Sequence, residues 1–74
     1  MTLIILDRSV GKNLQQFRKK KHMTQNELVI KMQLMGSDMS RSTLANIETG
    51  RRNIKASDLR MLLELLEIDF FELF

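Results

Sequence analysis

One helix-start pattern is written three times in this chain of 74 residues. An apolar residue precedes a hydroxyl or carboxylate, and a second apolar residue follows four positions after that cap. The copies are Met23-Thr24 with Leu28, Met39-Ser40 with Leu44, and Ile68-Asp69 with Leu73. The cap oxygen can accept from a backbone N–H of the first turn, which has no partner inside the helix, and the apolar pair staples the chain's entry. In the first copy Glu27 stands where it can reach back to the Thr24 backbone; in the second, Thr43 takes the place of that acid. Helices are therefore predicted to begin at about Gln25, Arg41 and Phe70.

Two more helices follow from spacing. Val10, Leu14 and Phe17 recur at helical intervals, predicting a helix over about 10–21 capped by Asp7 or Ser9. Its basic end, residues 18–21, suits the negative end of a helix dipole, and that role alone accounts for most of those lysines. Ser57 is expected to cap a further helix whose inner face is Leu59, Leu62, Leu63 and Leu66. Residues 36–38, around Gly36, read as a loop. Residues 2–6 are β-branched and apolar and favour an extended strand. The chain has no proline and only three glycines, which favours helix nearly throughout. The expected fold is all-α: one compact five-helix domain over residues 10–74, preceded by an arm or short strand over residues 1–9.

Several classes of function are set aside by what is missing from the sequence. There is no cysteine and one histidine, so no metal site and no thiol chemistry is expected. No paired catalytic constellation and no glycine-rich phosphate loop is present, so neither an enzyme nor a cofactor is expected. No apolar run is long enough to span a membrane, and residues 1–6 are too short for a signal peptide, so the expected location is the cytoplasm. No small-molecule ligand site is evident. Charge is unevenly divided. Residues 8–56 carry eleven Lys or Arg against three Asp or Glu, a net +8, while residues 57–74 carry a net −4. The basic part can face a polyanion while the acidic tail faces away, although a soluble basic surface would look the same.

Residues 40–50 carry the most specific signal. Leu44 and Ile47 make one apolar face, and Gly50 suits a left-handed exit. Arg41, Ser42, Ala45 and Asn46 are left on the other face, which is small and polar, as a helix lying in a DNA major groove requires.

With these pieces in place, the chain resembles the phage-repressor (Cro/repressor, Xre-like) helix-turn-helix family over about residues 10–74. Val-Gly-Lys-Asn-Leu-Gln-Gln-Phe-Arg at 10–18 looks like that family's first helix, and Met-Thr-Gln-Asn-Glu-Leu at 23–28 like the start of its second. Ser-Arg-Ser-Thr-Leu-Ala-Asn-Ile-Glu-Thr-Gly-Arg-Arg at 40–52 is similar to its recognition helix and exit turn. Residues 59–74, ending in Glu-Leu-Phe, look like helices four and five. Three features depart from the pattern. His22 stands where a helix-ending glycine is usual, so it must turn left-handed at some cost or the turn differs. Val29 replaces a small alanine. Residues 33–39 are about five longer than the family's short turn, which is read as a second helix running on to Leu34 together with a bulge at Gly36.

The resemblance implies roles residue by residue. Arg41, Ser42 and Asn46 would reach base edges, arginine bridging guanine O6 and N7 and asparagine pairing with adenine N6 and N7. Thr24, Gln25 and Ser40, at helix N-termini, would meet phosphates, as would Arg51, Arg52, Asn53 and Lys55 beyond the recognition helix. For each, the plain alternative is capping or a solvated surface. Arg18 and Glu48 would form a partly buried ion pair holding the recognition helix against the first helix.

Apolar residues exceed what the core needs. Met61, Leu65, Phe70 and Phe74 are left over, and such an excess on a small protein suggests a partner. A homodimer on a palindromic operator is expected, half-sites lying about one helical turn apart. Leu3, Ile4 and Ile5, with no evident partner in the chain, are candidates for a strand ribbon between subunits; a frayed or packed arm is the plain alternative. The function expected is a sequence-specific double-stranded DNA-binding transcriptional regulator, a repressor, of bacterial or phage type. The alternative is a protein-interaction or antitoxin-like adaptor module that uses the same scaffold without groove reading.

Overall fold

The computed structural model describes residues 3–4 and 8–74, and shows where the helix-start pattern leads. Among the described residues there are four α-helices: α1 (Arg8–Lys20), α2 (Gln25–Leu34), α3 (Arg41–Glu48) and α4 (Ala56–Leu66). The third copy of the pattern yields only a single 3-10 turn, Phe70–Leu73, in place of a fifth α-helix. The cap pattern is still made there, the Asp69 N–H donating to the Glu72 carboxylate at 2.7 Å. The chain is mostly helical and compact, with a radius of gyration of 10.8 Å.

The first two starts are capped as their residues require. Thr24 Oγ1 accepts from the Glu27 N–H at 3.1 Å while Glu27 accepts from the Thr24 N–H at 3.0 Å. That reciprocal bond holds the Glu27 carboxyl below its ordinary pKa. Ser40 Oγ accepts from the Thr43 N–H at 3.1 Å and shares a hydroxyl bond with Thr43. Two expected caps are corrected. α1 starts at Arg8, which puts Ser9 inside its first turn, and Asp7 lies outside the described residues. α4 starts at Ala56 with Lys55 as its cap residue, so Ser57 is already helical and caps nothing.

All four helices end in one way. A left-handed residue stands at each end, past the cap at Gly36 and Gly50 and at the cap itself at Glu67, and two backbone bonds close the end. After α1, His22 N–H donates to Lys19 O and Met23 N–H to Arg18 O; after α2, Gly36 donates to Gln33 O and Ser37 to Met32 O. After α3, Gly50 donates to Ile47 O and Arg51 to Asn46 O; after α4, Glu67 donates to Glu64 O and Ile68 to Leu63 O. This is the paired closure that satisfies orphan carbonyls at helix C-termini. Glycine fills the left-handed position at 36 and 50, but His22 (φ 56°) and Glu67 (φ 57°) adopt it with a side chain. Glu67 is compensated by an exposed ion pair to Lys21 at 2.8 Å. His22 has no such bond, so His22→Gly is expected to raise folding stability by about 0.5–1 kcal/mol, the relieved left-handed strain less the added freedom of the unfolded chain. Chemical denaturation of the two proteins checks it; equal or lower stability would contradict the account.

The core joins Val10 and Leu14 of α1, Leu28, Val29 and Met32 of α2, Leu44 and Ile47 of α3, and Leu59, Leu62 and Leu66 of α4, with Met39, Ile54 and Leu73. Val29, the larger residue where the resemblance expects alanine, is thus fully accommodated. Phe17 and Leu63, read as core positions, are only half-buried. Gly11 marks the closest crossing: a Cβ there would run into the carbonyl oxygens of Ile47 and Glu48, the latter at 2.8 Å. A side-chain-free position in α1 is what lets it lie against the end of α3.

The described part of the N-terminal segment also calls for a correction. Leu3–Ile4 forms a two-residue strand (β1) paired antiparallel with Ile54–Lys55 (β2), Leu3 opposite Lys55 and Ile4 opposite Ile54. The strand therefore has a partner in its own chain, the segment leading into α4, which the sequence reading had not recognised as extended. Ile5, the third residue assigned to an intersubunit ribbon, lies outside the described residues.

Candidate nucleic-acid interface

α3 is held in place by a buried ionic network. Arg18 of α1 donates from Nε and Nη2 to the two Glu48 carboxylate oxygens at 2.8 and 3.1 Å, and from Nη1 to Met23 O at 2.8 Å. The Glu48 and Arg18 side chains are 1% and 7% exposed. Gln25 at the start of α2 donates its side-chain amide to Glu48 Oε1 at 3.0 Å. One carboxylate thus ties α1, the α1–α2 turn, α2 and α3 together. Bidentate, charge-assisted bonds of this kind fix orientation as well as distance.

The turn before α3 is pinned as well. Ser37 Oγ donates to the buried Asp58 carboxylate at 2.8 Å and accepts from the Met39 N–H at 3.0 Å, while Gln33 donates to Met39 O at 2.9 Å. The turn leaves α2 at Gly36 (φ 98°), is fastened to the start of α4, and delivers the buried Met39 directly before the Ser40 cap. The residues of this turn therefore form a bracket between α2, α3 and α4.

The residues assigned to base edges fall on two parts of the α3 surface. Ser42 is exposed and Asn46 half-exposed, one turn apart and opposite the buried Leu44, Ile47 and Glu48. Arg41, also exposed, sits at the flank toward α2, where it lines a shallow polar cleft with Thr24, Gln25 and Asn26. The N–H groups of Gln25 and Asn26, first in their helix, have no acceptor within it. Thr49 completes the Ser42–Asn46 row at helical spacing and is exposed. Sequence reading passed over it because it adjoins the Gly50 exit; the i, i+4, i+7 interval from Ser42 was the signal.

The phosphate candidates are also divided. Thr24 and Ser40 are exposed, their hydroxyls occupied in capping. The Gln25 side chain is turned inward to Glu48, leaving its backbone N–H at the surface end of α2 as the group to offer an anion. Arg51, Arg52 and Asn53 are exposed on the loop after α3, and the two arginines have no carboxylate within ion-pairing distance among the described residues. That loop is braced at both ends, by the Arg51 N–H bond to Asn46 O at 2.8 Å and by the buried Ile54 of β2. Lys55 is half-buried and pairs with Asp38 at 2.9 Å. The Asp38 hydrogen bond holds the Lys55 ammonium above its ordinary pKa, and the Asp38 carboxyl is depressed by the same bond. The Asp38 side chain is 81% exposed, so solvent screens the pair and an approaching anion can compete for Lys55.

The dimer candidates separate by exposure. Met61 and Leu65 are half-buried against the core. Phe70 and Phe74 are exposed and meet in a tilted contact at 4.8 Å between ring centres, and Phe71, which the sequence reading left out, is 83% exposed beside them. A second apolar group, Ile30, Leu34 and Met35, lies at the end of α2 and was likewise missed.

No helix among the described residues is long and apolar enough to cross a membrane. A family model described as a helix-turn-helix domain matches residues 9–69. No curated protein and no solved structure matches the chain.

Proposed function

The chain belongs to the helix-turn-helix domain family, and from that premise we propose that it is a sequence-specific double-stranded DNA-binding transcriptional regulator. In this reading it is a cytoplasmic repressor of the Cro/repressor, Xre-like branch, of bacterial or phage type, with no cofactor. The observation that carries the proposal is the exposed polar face of α3, braced from behind by the Arg18–Glu48–Gln25 network and flanked by the exposed Arg51 and Arg52. A helix so held can enter the major groove as a rigid body.

In this reading Ser42 and Asn46 meet base edges, and Arg41 reaches them from the α2 side of the groove. The backbone N–H groups at the start of α2, with Thr24 beside them, and Ser40 meet phosphates on one side. Arg51, Arg52, Asn53 and Lys55 meet them on the other. Selection of bound sites from a random DNA pool tests the assignment. Asn46→Ala is expected to relax preference at one position of the selected site by about 1–3 kcal/mol. Arg52→Ala should weaken all sequences alike and lower the salt slope by about one for each bound subunit, about two for a dimer. Uniform weakening by Asn46→Ala would contradict the base-reading role.

The protein acts as a homodimer on a palindromic site, its subunits joined through Phe70, Phe71 and Phe74, with Met61 and Leu65 as further candidates. Phe71→Glu is then expected to convert a sedimenting dimer into a monomer that keeps the native helical circular dichroism and whose unfolding temperature no longer depends on concentration. A wild-type chain that sediments as a monomer at all concentrations would contradict this.

A second reading, a protein-interaction or antitoxin-like adaptor, is favoured by one observation. Ile30, Leu34 and Met35 form an exposed apolar group that a lone DNA reader does not need, with Leu34 83% exposed. Affinity for a protein partner without any DNA shift at low salt would favour it.

A further inference from the structure

We infer that Thr49, the C-cap residue of α3, is a specificity determinant, recognising a thymine through contact between its own methyl group and the thymine 5-methyl. The inference rests on the groove-reading role proposed above. Thr49 is exposed and lies on the row begun by Ser42 and Asn46. Its hydroxyl is already used: Oγ1 donates to Ala45 O at 3.1 Å and to Asn46 O at 3.2 Å. A hydroxyl has one proton, here shared between two carbonyls, and a phosphate oxygen can only accept. Thr49 therefore cannot hold a phosphate without giving up both backbone bonds.

Those bonds also set the direction of the rest of the side chain. A β-branched residue has few χ1 states, and with Oγ1 held back against the last turn of α3 by those two bonds its methyl is the group left for the surface. The backbone beneath it is fixed by the closure at Gly50 and Arg51, whose N–H groups donate to Ile47 O and Asn46 O. In the major groove the apolar feature a methyl can match is the 5-methyl of thymine. Ala45, half-exposed on the turn before, adds a second small apolar surface and no competing donor.

The test uses the full chain and an operator selected from a random pool. Each thymine is replaced singly by deoxyuridine, which removes only the 5-methyl, and the Kd is measured at one salt concentration. For the native chain, one replacement per half-site is expected to weaken binding about fourfold, the worth of one buried methyl. Thr49→Val keeps the methyl and should show the same sensitivity. Thr49→Ser keeps the hydroxyl and both backbone bonds; it should bind the unmodified operator about fourfold more weakly and no longer distinguish thymine from uracil.

Three results would overturn the inference: uracil sensitivity that persists in Thr49→Ser, weakening of all sequences alike by Thr49→Val, or no sensitivity to any replacement in the native chain. Failure to select any sequence would overturn the groove-reading role itself. Specific binding without a methyl effect overturns the Thr49 assignment alone.

Discussion

Glu48→Ala is expected to destabilise the domain by about 3–5 kcal/mol, because it leaves the buried Arg18 guanidinium without its counter-charge. That is a large share of the whole stability of a chain this size, about 4–11 kcal/mol, so the urea midpoint of the variant should fall steeply. The geometry is unfavourable for rescue by water, since the Arg18 side chain is 7% exposed and its Nε and Nη2 both point at the missing carboxylate. Removing both charges is a different matter. Arg18→Met with Glu48→Leu exchanges a paired charge for apolar volume and should return stability to within about 1 kcal/mol of the native chain, or above it. The double variant would still have lost the bonds to Met23 O and to the Gln25 amide, so its turn and α3 should be less firmly registered even where stability recovers. Urea titrations of the native chain, the two single variants and the pair give the coupling directly. A coupling near zero would show that the network does not act as a unit.

The second large effect concerns salt. Arg51, Arg52 and Lys55 are the cations grouped beyond α3, and two subunits would bring six of them to the phosphates. With about 0.9 counterion released per neutralised phosphate, the logarithm of affinity should fall with that of salt concentration with a slope of about −5, or about a thousandfold between 50 and 200 mM. A monomer would give about half that slope. Measured by fluorescence anisotropy on one operator duplex, a slope shallower than about −1 would rule out a phosphate clamp of this kind. Lys55 makes the prediction demanding, because its contribution requires exchange of Asp38 for phosphate, and Asp38→Asn should strengthen binding at low salt.

How far the sequence reached can be judged element by element. Helix starts were legible wherever a cap side chain acts on its own backbone, as at Thr24 and Ser40, because the interaction spans three residues and needs no tertiary information. The cap of α4 was misread for the opposite reason. Ser57 looked like a cap in isolation, yet α4 follows directly on the Ile54–Lys55 segment paired with Leu3–Ile4, and its start lies two residues earlier than such a cap would put it. Pairing between segments fifty residues apart leaves no local trace. The same holds for Gly11, whose need to be glycine comes from the carbonyls of Ile47 and Glu48 across the interface.

In the candidate interface, the face of α3 was legible because Leu44 and Ile47 fix the buried side and so define the exposed one. Individual roles were less so. Gln25 has the composition of a phosphate contact, and only the position of Glu48 shows that its amide is already engaged. Lys55 read as a free cation, and only the path of the long turn brings Asp38 to it. The order of that turn is itself a tertiary property, since Ser37 is fixed by the buried Asp58 of α4.

The central claim is that α3 reads bases. The most direct measurement is the ratio of affinities for a selected operator and for an unrelated duplex of equal length, taken at one physiological salt concentration. Groove reading predicts a ratio of about 10³ or more, collapsing when Asn46 and Arg41 are replaced together by alanine. A ratio near one, with affinity that depends only on salt, would contradict it and leave α3 as scaffold.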